Sequence, residues 1–144
     1  MSNINQFTSN PDLSSVSDEQ LFTELTPEES AVVEGGAFVR IHSLRAIRAG
    51  ADGFFGGDDD TYIEIGGNRV WGVRRFRTGD WFDVQRGRDF EHVANIEIFD
   101  NDRWPNPDDP MGSFTVGNTP TNGVRGRRVH GSGSIYDVYY SVTA

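Results

Sequence analysis

An unusual concentration of carboxylates lies in the stretch FDNDRWPNPDDPMG, residues 99–112. Asp100, Asp102, Asp108 and Asp109 fall within ten residues there, and a tryptophan and three prolines lie between or beside them. Carboxylates at this density repel one another, whereas Ca²⁺ binds about six to eight oxygen ligands at 2.3–2.6 Å. The stretch therefore predicts an oxygen cage for a hard cation.

A second acidic group lies about forty residues upstream, where Asp58, Asp59 and Asp60 follow two glycines and Asp52 precedes them. Two familiar calcium motifs do not fit either group. An EF-hand loop would need glycine at its sixth position and glutamate at its twelfth, and the later stretch has proline and methionine there. A β-roll needs stacked nonapeptides, and the Gly-Gly-Asp sequence occurs once.

The acidic stretches must be positioned by strands, because apolar and polar residues alternate throughout the chain after residue 37. No helical period is present there, and turn sequences such as Thr78-Gly79-Asp80 and Asn122-Gly123 separate the alternating segments. This pattern predicts an all-β antiparallel sandwich of seven to eight strands, with one strand before the first acidic group and two after the second. The alternating segments are 39–43, 62–65, 70–73, 81–84, 96–98 and 135–140.

The spacing Asp100-x-Asp102-x₅-Asp108 resembles the third loop of calcium-binding C2 domains. Asp60-Thr61-Tyr62-Ile63 resembles the end of the same family's first loop, although Thr61 stands where proline is frequent. The resemblance covers residues 38–142 and implies two or more Ca²⁺ ions at one end of the sandwich. The first loop is longer than usual by about two residues, so Asp58 or Asp59 could replace Asp52 as a ligand. The implied metal ligands are Asp52, Asp58, Asp60, Asp100, Asp102 and Asp108.

Apolar residues at the tips of these loops bear on lipid binding. Phe54 and Phe55 lie within the first loop and Trp104 within the third, at positions that dip into a bilayer in the resembled family. Arginines 69, 74, 75 and 77 would meet anionic headgroups. The competing interpretation is that the two phenylalanines fold back into the core and the arginines form a solvated strand face.

The net charge of −9 divides the chain into two parts. Residues 1–36 carry seven acids and no base, whereas the remaining residues carry fifteen acids and thirteen arginines. All tryptophans and tyrosines also lie in the second part. We therefore expect a flexible segment at 1–36, with too little apolar surface to fold alone, and a domain at 37–144.

The first part contains the sequence LFTELTPEESAVVEGG, in which Thr26-Pro27 is typical of a short helix start. Its pattern of Leu25, Glu29, Val33, Gly35 and Gly36 resembles the double-glycine leaders of bacterial exported peptides. The resemblance implies cleavage after Gly36 by an ABC exporter with a papain-like peptidase domain. The alternative is a frayed helix with a glycine C-cap.

Catalysis and nucleic-acid binding are the least supported functions. Three histidines are scattered, cysteine is absent, and no serine sits on a strand-to-helix elbow, so the sequence shows no nucleophile with an adjacent base. The residues after 36 keep an excess of acids, which disfavours nucleic acid. No run of eighteen apolar residues is present.

Two functions of different class remain. The first is a non-catalytic Ca²⁺-binding module that is secreted or cell-surface after leader removal and attaches to anionic lipid or a cell-surface protein. The second is a cytoplasmic Ca²⁺ sensor or structural subunit that keeps its N-terminal segment.

Overall fold

The computed structural model describes residues 36–51, 53 and 57–144. This part of the chain contains eight β-strands, and no helix in it is long and apolar enough to cross a membrane. The expected leader helix and Gly35 lie outside the described residues, while Gly36 is the last residue before the first strand. The strands are β1 Ala37–Arg48, β2 Asp59–Ile65, β3 Asn68–Phe76, β4 Trp81–Phe90, β5 Val93–Asp100, β6 Asp109–Gly117, β7 Arg125–Gly131 and β8 Ser134–Thr143.

The strands form two four-stranded sheets, and every neighbouring pair is antiparallel. Sheet 1 has the order β4-β1-β8-β7, and sheet 2 has the order β3-β2-β5-β6. Buried residues recur at every second position along most of β8 and along β1 on either side of a bulge between Ile41 and Ser43, as the period-two sequence pattern requires of strands that cover a core. The predicted all-β antiparallel sandwich is confirmed.

Six of the eight strands contain the segments that the sequence pattern identified, and β6 and β7 are the two it missed. Three strands therefore follow the second acidic loop, and the predicted count of two was wrong. Both missed strands lie at sheet edges, where fewer positions face the core and proline, glycine and charged residues are tolerated. Their sequences, DPMGSFTVG and RGRRVHG, show why a turn or a solvated segment was the easier interpretation.

Aromatic rings join the two sheets within the core, close to the start of β2. Phe76 of β3 is fully buried and packs edge-to-face against Phe82 of β4 and Tyr136 of β8, with ring centroids 4.8 and 5.4 Å apart. It also contacts Trp71 of its own sheet at 6.1 Å. Phe76 therefore joins sheet 2 to two strands of sheet 1.

Antiparallel connectivity brings four connections to one end of the sandwich, which we call the acidic end. They are the segments 49–58, 77–80, 101–108 and 132–133. Backbone amides cross between them, since Ala49 donates to Thr78 Oγ1 and Gly50 donates to Ser134 Oγ, both at 3.0 Å. The acid-bearing loops are consequently neighbours.

Candidate functional site

The start of β2 and the end of β5 join the two acidic groups. Thr61 pairs with Asp100 across the sheet, which places Asp60 beside the β5–β6 loop. The amide of Asp60 donates to Asp100 Oδ1 at 2.5 Å, and the amide of Asn101 donates to the carbonyl of Asp60 at 2.8 Å. The sequence separated these acids by forty residues, and the sheet register brings them together.

Asp108 closes the β5–β6 loop on itself. Its Oδ1 accepts the amide of Asp102 at 2.9 Å, and its Oδ2 accepts the phenol of Tyr62 at 2.6 Å. Burial and this hydrogen bond to Asp108 raise the pKa of Tyr62 to about 12, so the phenol stays protonated and acts as a donor. Asp102 and Asp108 are thus held close together, as the predicted cage requires.

Arginines lie beside the acids of the first loop. The Arg75 Nε atom is 3.6 Å from Asp58 Oδ2 and 3.8 Å from Asp60 Oδ1, and Arg77 Nε is 3.5 Å from the same Asp58 oxygen. The arginine side chains in these pairs are largely exposed, so each contributes only about 0–1 kcal/mol. Both guanidinium groups nevertheless compete with any cation for these carboxylates.

Asp59 has a structural role that differs from the roles of Asp58 and Asp60. It is fully buried, its Oδ1 accepts the amide of Ala51 at 2.8 Å, and its Oδ2 accepts the hydroxyls of Ser134 and Tyr136 at 2.7 and 2.8 Å. A carboxylate with three protein donors is a structural anchor for loop 49–58 and β8. We therefore assign Asp59 to the framework rather than to the ligands, although the sequence left it as an alternative to Asp52.

The alternation of side-chain directions along β2 could have revealed that Asp59 points into the core. Asp59, Thr61, Ile63 and Ile65 are all buried, two residues apart, whereas Asp60 is part-exposed. The sequence interpretation began the strand at Tyr62, so the inward direction of Asp59 was missed. Burial likewise raises the pKa of the Tyr136 phenol far above its usual value, which keeps it a donor to Asp59.

The predicted lipid-contacting residues are placed only in part. Asp52, Phe54 and Phe55 lie outside the described residues. Trp104 stands at the tip of the β5–β6 loop with 92% of its surface exposed. Of the arginines expected on the lipid side, Arg69 covers the Tyr62 ring at 3.7 Å while Arg75 and Arg77 face carboxylates, so this group is not one free basic surface.

The oxygen donors have the chemistry that Ca²⁺ prefers, but their present arrangement is incomplete. Among residues 36–51, 53 and 57–144, no group of three or more His, Asp or Glu side chains is positioned to hold a metal ion. Both oxygens of Asp108 accept protein hydrogen bonds. Binding would therefore require the carboxylates of the two loops to move closer together around the ion.

Comparison with known proteins adds the fold family. No known protein-family profile and no curated protein matches the chain. Solved structures do match it. A C2 domain superposes with a TM-score of 0.54 at 16% identity, covering 75% of this chain and 99% of that chain.

The fold is C2-like. A C2 domain-containing protein gives a TM-score of 0.52 at 13% identity, over 76% of this chain and 87% of that chain. The structure of the protein CC2D1B gives a TM-score of 0.55 at 11% identity, covering 96% of this chain and 72% of that chain. At these identities the likeness extends to the fold alone, and it confirms the C2-like sandwich expected from the two acidic loops.

Proposed function

We propose that residues 37–144 are a non-catalytic binding module that takes up Ca²⁺ at its acidic end. The observation that carries the proposal is the junction of the two acidic loops through the hydrogen bond from the Asp60 amide to Asp100. Asp60, Asp100, Asp102 and Asp108 would supply oxygen ligands, together with Asp52 and Asp58 of the first loop. Bound Ca²⁺ would crosslink carboxylates that otherwise repel one another.

A binding role is favoured over catalysis by the surroundings of His42. His42 Nε2 lies 2.8 Å from Ser141 Oγ, a pair that the sequence did not reveal. Both residues lie within the paired strands β1 and β8, and no described acid forms a hydrogen bond with the His42 ring. Ser141 therefore lacks the sharp turn and the oriented base that make a serine nucleophilic.

The test of Ca²⁺ uptake is a thermal melt of the whole chain with and without 10 mM Ca²⁺. If Kd is in the range of extracellular modules, roughly 10⁻⁴ to 10⁻³ M, binding to the folded state adds about 1.4–2.7 kcal/mol. The melting temperature should then rise by several degrees. Mg²⁺ at the same concentration should raise the melting temperature less, because it demands a smaller octahedral shell and retains its waters.

Paired variants separate specific uptake from general charge screening. Asp60→Asn with Asp102→Asn removes two part-exposed carboxylates of the acidic end, and Asp89→Asn with Glu91→Gln removes two from the opposite end. The first pair should lose the Ca²⁺ shift and the second should keep it. No shift in the unaltered protein, or equal shifts in both variants, would overturn the proposal.

Trp104 and the phenylalanines of the first loop would give the occupied module an apolar tip. The carboxylates beside the exposed Trp104 indole would repel anionic lipid until a bound cation neutralises them. We therefore propose Ca²⁺-dependent attachment to anionic lipid or to a cell-surface protein, in which Trp104, Phe54 and Phe55 make the contact.

Export is the second part of the proposal. The double-glycine pattern and the change of charge at Gly36 support cleavage between Gly36 and Ala37 by an exporter with a leader peptidase, giving a secreted or cell-surface domain. Co-expression with such an exporter should yield a medium form with Ala37 at its N-terminus, measured by intact mass. Recovery of the full-length chain alone would contradict it.

The ion pairs at the first loop favour one alternative. Arg75 and Arg77 already offset part of the charge of Asp58 and Asp60, so the acidic end can persist without an added ion. A cytoplasmic structural subunit with an uncleaved N-terminal segment would show this behaviour. It would give the same melting temperature with and without Ca²⁺.

A further inference from the structure

The edge strand β7 carries three arginines, and they face two different sides of sheet 1. Arg128 pairs with Asp137, and its Nε and Nη2 atoms donate hydrogen bonds to that carboxylate at 2.7 and 2.9 Å. Arg127 pairs with Val138, which is buried in the core, so Arg127 and Arg125 lie on the core side of the sheet. Both are exposed there, and neither forms an ion pair within residues 36–51, 53 and 57–144.

Arg125 and Arg127 border the gap between the edges of the two sheets. The edge strand of sheet 2 is β6, and it contacts β7 of sheet 1. The Arg127 guanidinium lies over the ring of Phe114 in β6, with 6.0 Å between its Cζ atom and the ring centroid. Arg125 donates from Nη2 to the backbone carbonyl of Thr121, in the loop that joins β6 to β7, at 3.1 Å. We call the gap between these four residues the side groove.

A cavity of about 260 Å³ lies in the side groove, and its lining includes the hydroxyl-bearing residues Thr115, Thr119, Thr121 and Tyr140. The Thr121 hydroxyl is occupied, because it donates to a backbone carbonyl at 2.7 Å and accepts the Val142 amide at 3.0 Å. The hydroxyls of the other three form no hydrogen bond with the part of the chain that the structure describes. They can therefore donate hydrogen bonds to a ligand.

Tyr140 connects this cavity to both arginines. It is the cross-strand partner of Arg125. Its ring packs against the Phe114 ring, which Arg127 covers, with 5.1 Å between the two ring centroids. The two guanidinium groups therefore lie beside the hydroxyl-lined cavity.

The side groove is built from a part of the chain without acids. Residues 110–136 contain no aspartate or glutamate, although the whole chain has a net charge of −9. Two acids lie on adjoining segments, where Glu97 pairs with Ser113 and the backbone carbonyl of Glu91 accepts the Asn118 side chain at 3.1 Å. Charged residues protect edge strands from pairing with other chains, which accounts for arginines on β7 but not for an acid-free cavity lined by hydroxyls. The combination favours an anionic ligand.

We propose that the side groove binds a tetrahedral oxyanion, the phosphate or sulfate group of a soluble ligand. A guanidinium offers paired N–H donors that match two oxygens of such a group, and hydroxyl donors bind its remaining oxygens. Pockets for drug-sized ligands have volumes of roughly 300–1,000 Å³, so the smaller cavity of the side groove suits one such group.

The position of the side groove distinguishes a soluble ligand from a lipid headgroup. Trp104, which we propose to contact lipid, lies in the loop before β6, whereas Thr119 follows the last residue of β6. This strand has nine residues and is about 30 Å long. A bilayer that contacts Trp104 would therefore lie at the other end of the sandwich from the cavity.

The test is a titration of the full chain with sodium phosphate or sodium sulfate, followed by amide NMR signals at constant ionic strength with a metal chelator present. Saturating shifts should be confined to the surroundings of the cavity, near Thr119, Arg125 and Tyr140. Arg125→Gln with Arg127→Gln should raise Kd at least about tenfold, because charge-assisted hydrogen bonds are lost. Tyr140→Phe keeps the ring on Phe114 and removes the hydroxyl, so it should raise Kd about 2- to 10-fold.

The other edge strand of sheet 1 provides the matched control. Arg86→Gln with Arg88→Gln alters the same Arg-Gly-Arg sequence in β4 and removes the same charge outside the side groove. This pair should leave Kd unchanged. Shifts that do not saturate, or an equal loss of affinity in both pairs, would mean an adventitious ion only and would overturn the proposal.

Vesicles that contain phosphatidic acid test the source of the oxyanion. In the presence of the chelator, they should not compete with inorganic phosphate for the side groove. Competition that Arg125→Gln with Arg127→Gln removes would place a membrane on the side groove and would overturn the assignment of a soluble ligand. The titration requires neither Ca²⁺ nor cleavage at Gly36, so its outcome is independent of the tests of ion uptake and of export.

Discussion

Tyr62 and Asp59 hold the acidic end together through opposite kinds of hydrogen bond. Asp59 accepts hydrogen bonds from Ala51, Ser134 and Tyr136, whereas the Tyr62 phenol donates a hydrogen bond to Asp108. The Tyr62 ring is itself fixed, since it stacks on Phe99 at 5.3 Å and lies under the Arg69 guanidinium. The protonated phenol is therefore part of the framework of the predicted ion site.

Alkaline pH should weaken the folded state through this phenol. Its pKa of about 12 in the folded protein exceeds the ordinary value of 10, so the unfolded chain loses the proton first. The contribution of the protonated phenol to the free energy of unfolding is complete below pH 10 and is lost as pH rises towards 12. When urea unfolding is measured at pH 9, 10 and 11, the free energy of unfolding should decline less for Tyr62→Phe than for the unaltered protein. Equal declines would show that Tyr62 titrates normally when folded.

Among the elements, β4 depends on one glycine for its contact with β1. Gly87 lies opposite Arg40 in the sheet, and the Phe38 ring packs over it. A Cβ atom at Gly87 would collide with the Val39 carbonyl oxygen and would lie 2.6 Å from two atoms of that ring. The glycine thus allows the edge strand β4 to pair closely with β1.

Gly87→Ala should accordingly destabilise the fold by about 1–3 kcal/mol, the usual result of overpacking. Gly72→Ala in β3 is the matched control, because a Cβ there meets nothing within 4 Å. The control should change the free energy of unfolding by less than about 0.5 kcal/mol. Similar effects of the two substitutions on the urea midpoint would mean that the packing around Gly87 accommodates a Cβ atom and that no close contact fixes this position.

Inner strands and edge strands differ in how well the sequence predicted them. The inner strand β5 has buried residues at every second position, and so does the part of β1 before its bulge, so their alternation was visible in the sequence. The edge strands β6 and β7 have fewer buried positions and contain Pro110, Gly112 and Arg127, so local pattern could not distinguish them from loops. The acids were recognised as a group from spacing, but the roles of Asp59 and Tyr62 depend on side-chain direction and on partners up to 77 residues away.

At the scale of the whole molecule, the aromatic contact between the sheets connects the core to the acidic end. Phe76 reaches from sheet 2 to Phe82 and Tyr136 in sheet 1, and Tyr136 continues the connection to Asp59. Loss of this side chain would leave a cavity where the two sheets meet. Its effect should therefore extend from the core to the acidic end.

Phe76→Ala should reduce the free energy of unfolding by about 3–5 kcal/mol, a large share of the roughly 5–15 kcal/mol of a typical domain. Val93→Ala, at a position 65% exposed, should have little effect. Urea unfolding followed by tryptophan fluorescence measures both. A loss below about 1 kcal/mol for Phe76→Ala would show that the two sheets are held mainly by other contacts.

The hydrogen bond from the Ala51 amide to Asp59 has a consequence for how this protein can change. It fixes the two ends of the intervening segment to each other and, through Ser134 and Tyr136, to β8. The entropic cost of bringing the ends of the loop together is therefore already met by these hydrogen bonds. Because that cost grows only slowly with loop length, inserting residues between the fixed ends adds little to it. We therefore expect residues 52–58 to tolerate substitutions, insertions and grafted recognition sequences. Such changes should alter what the module binds while the free energy of unfolding of the sandwich stays nearly the same.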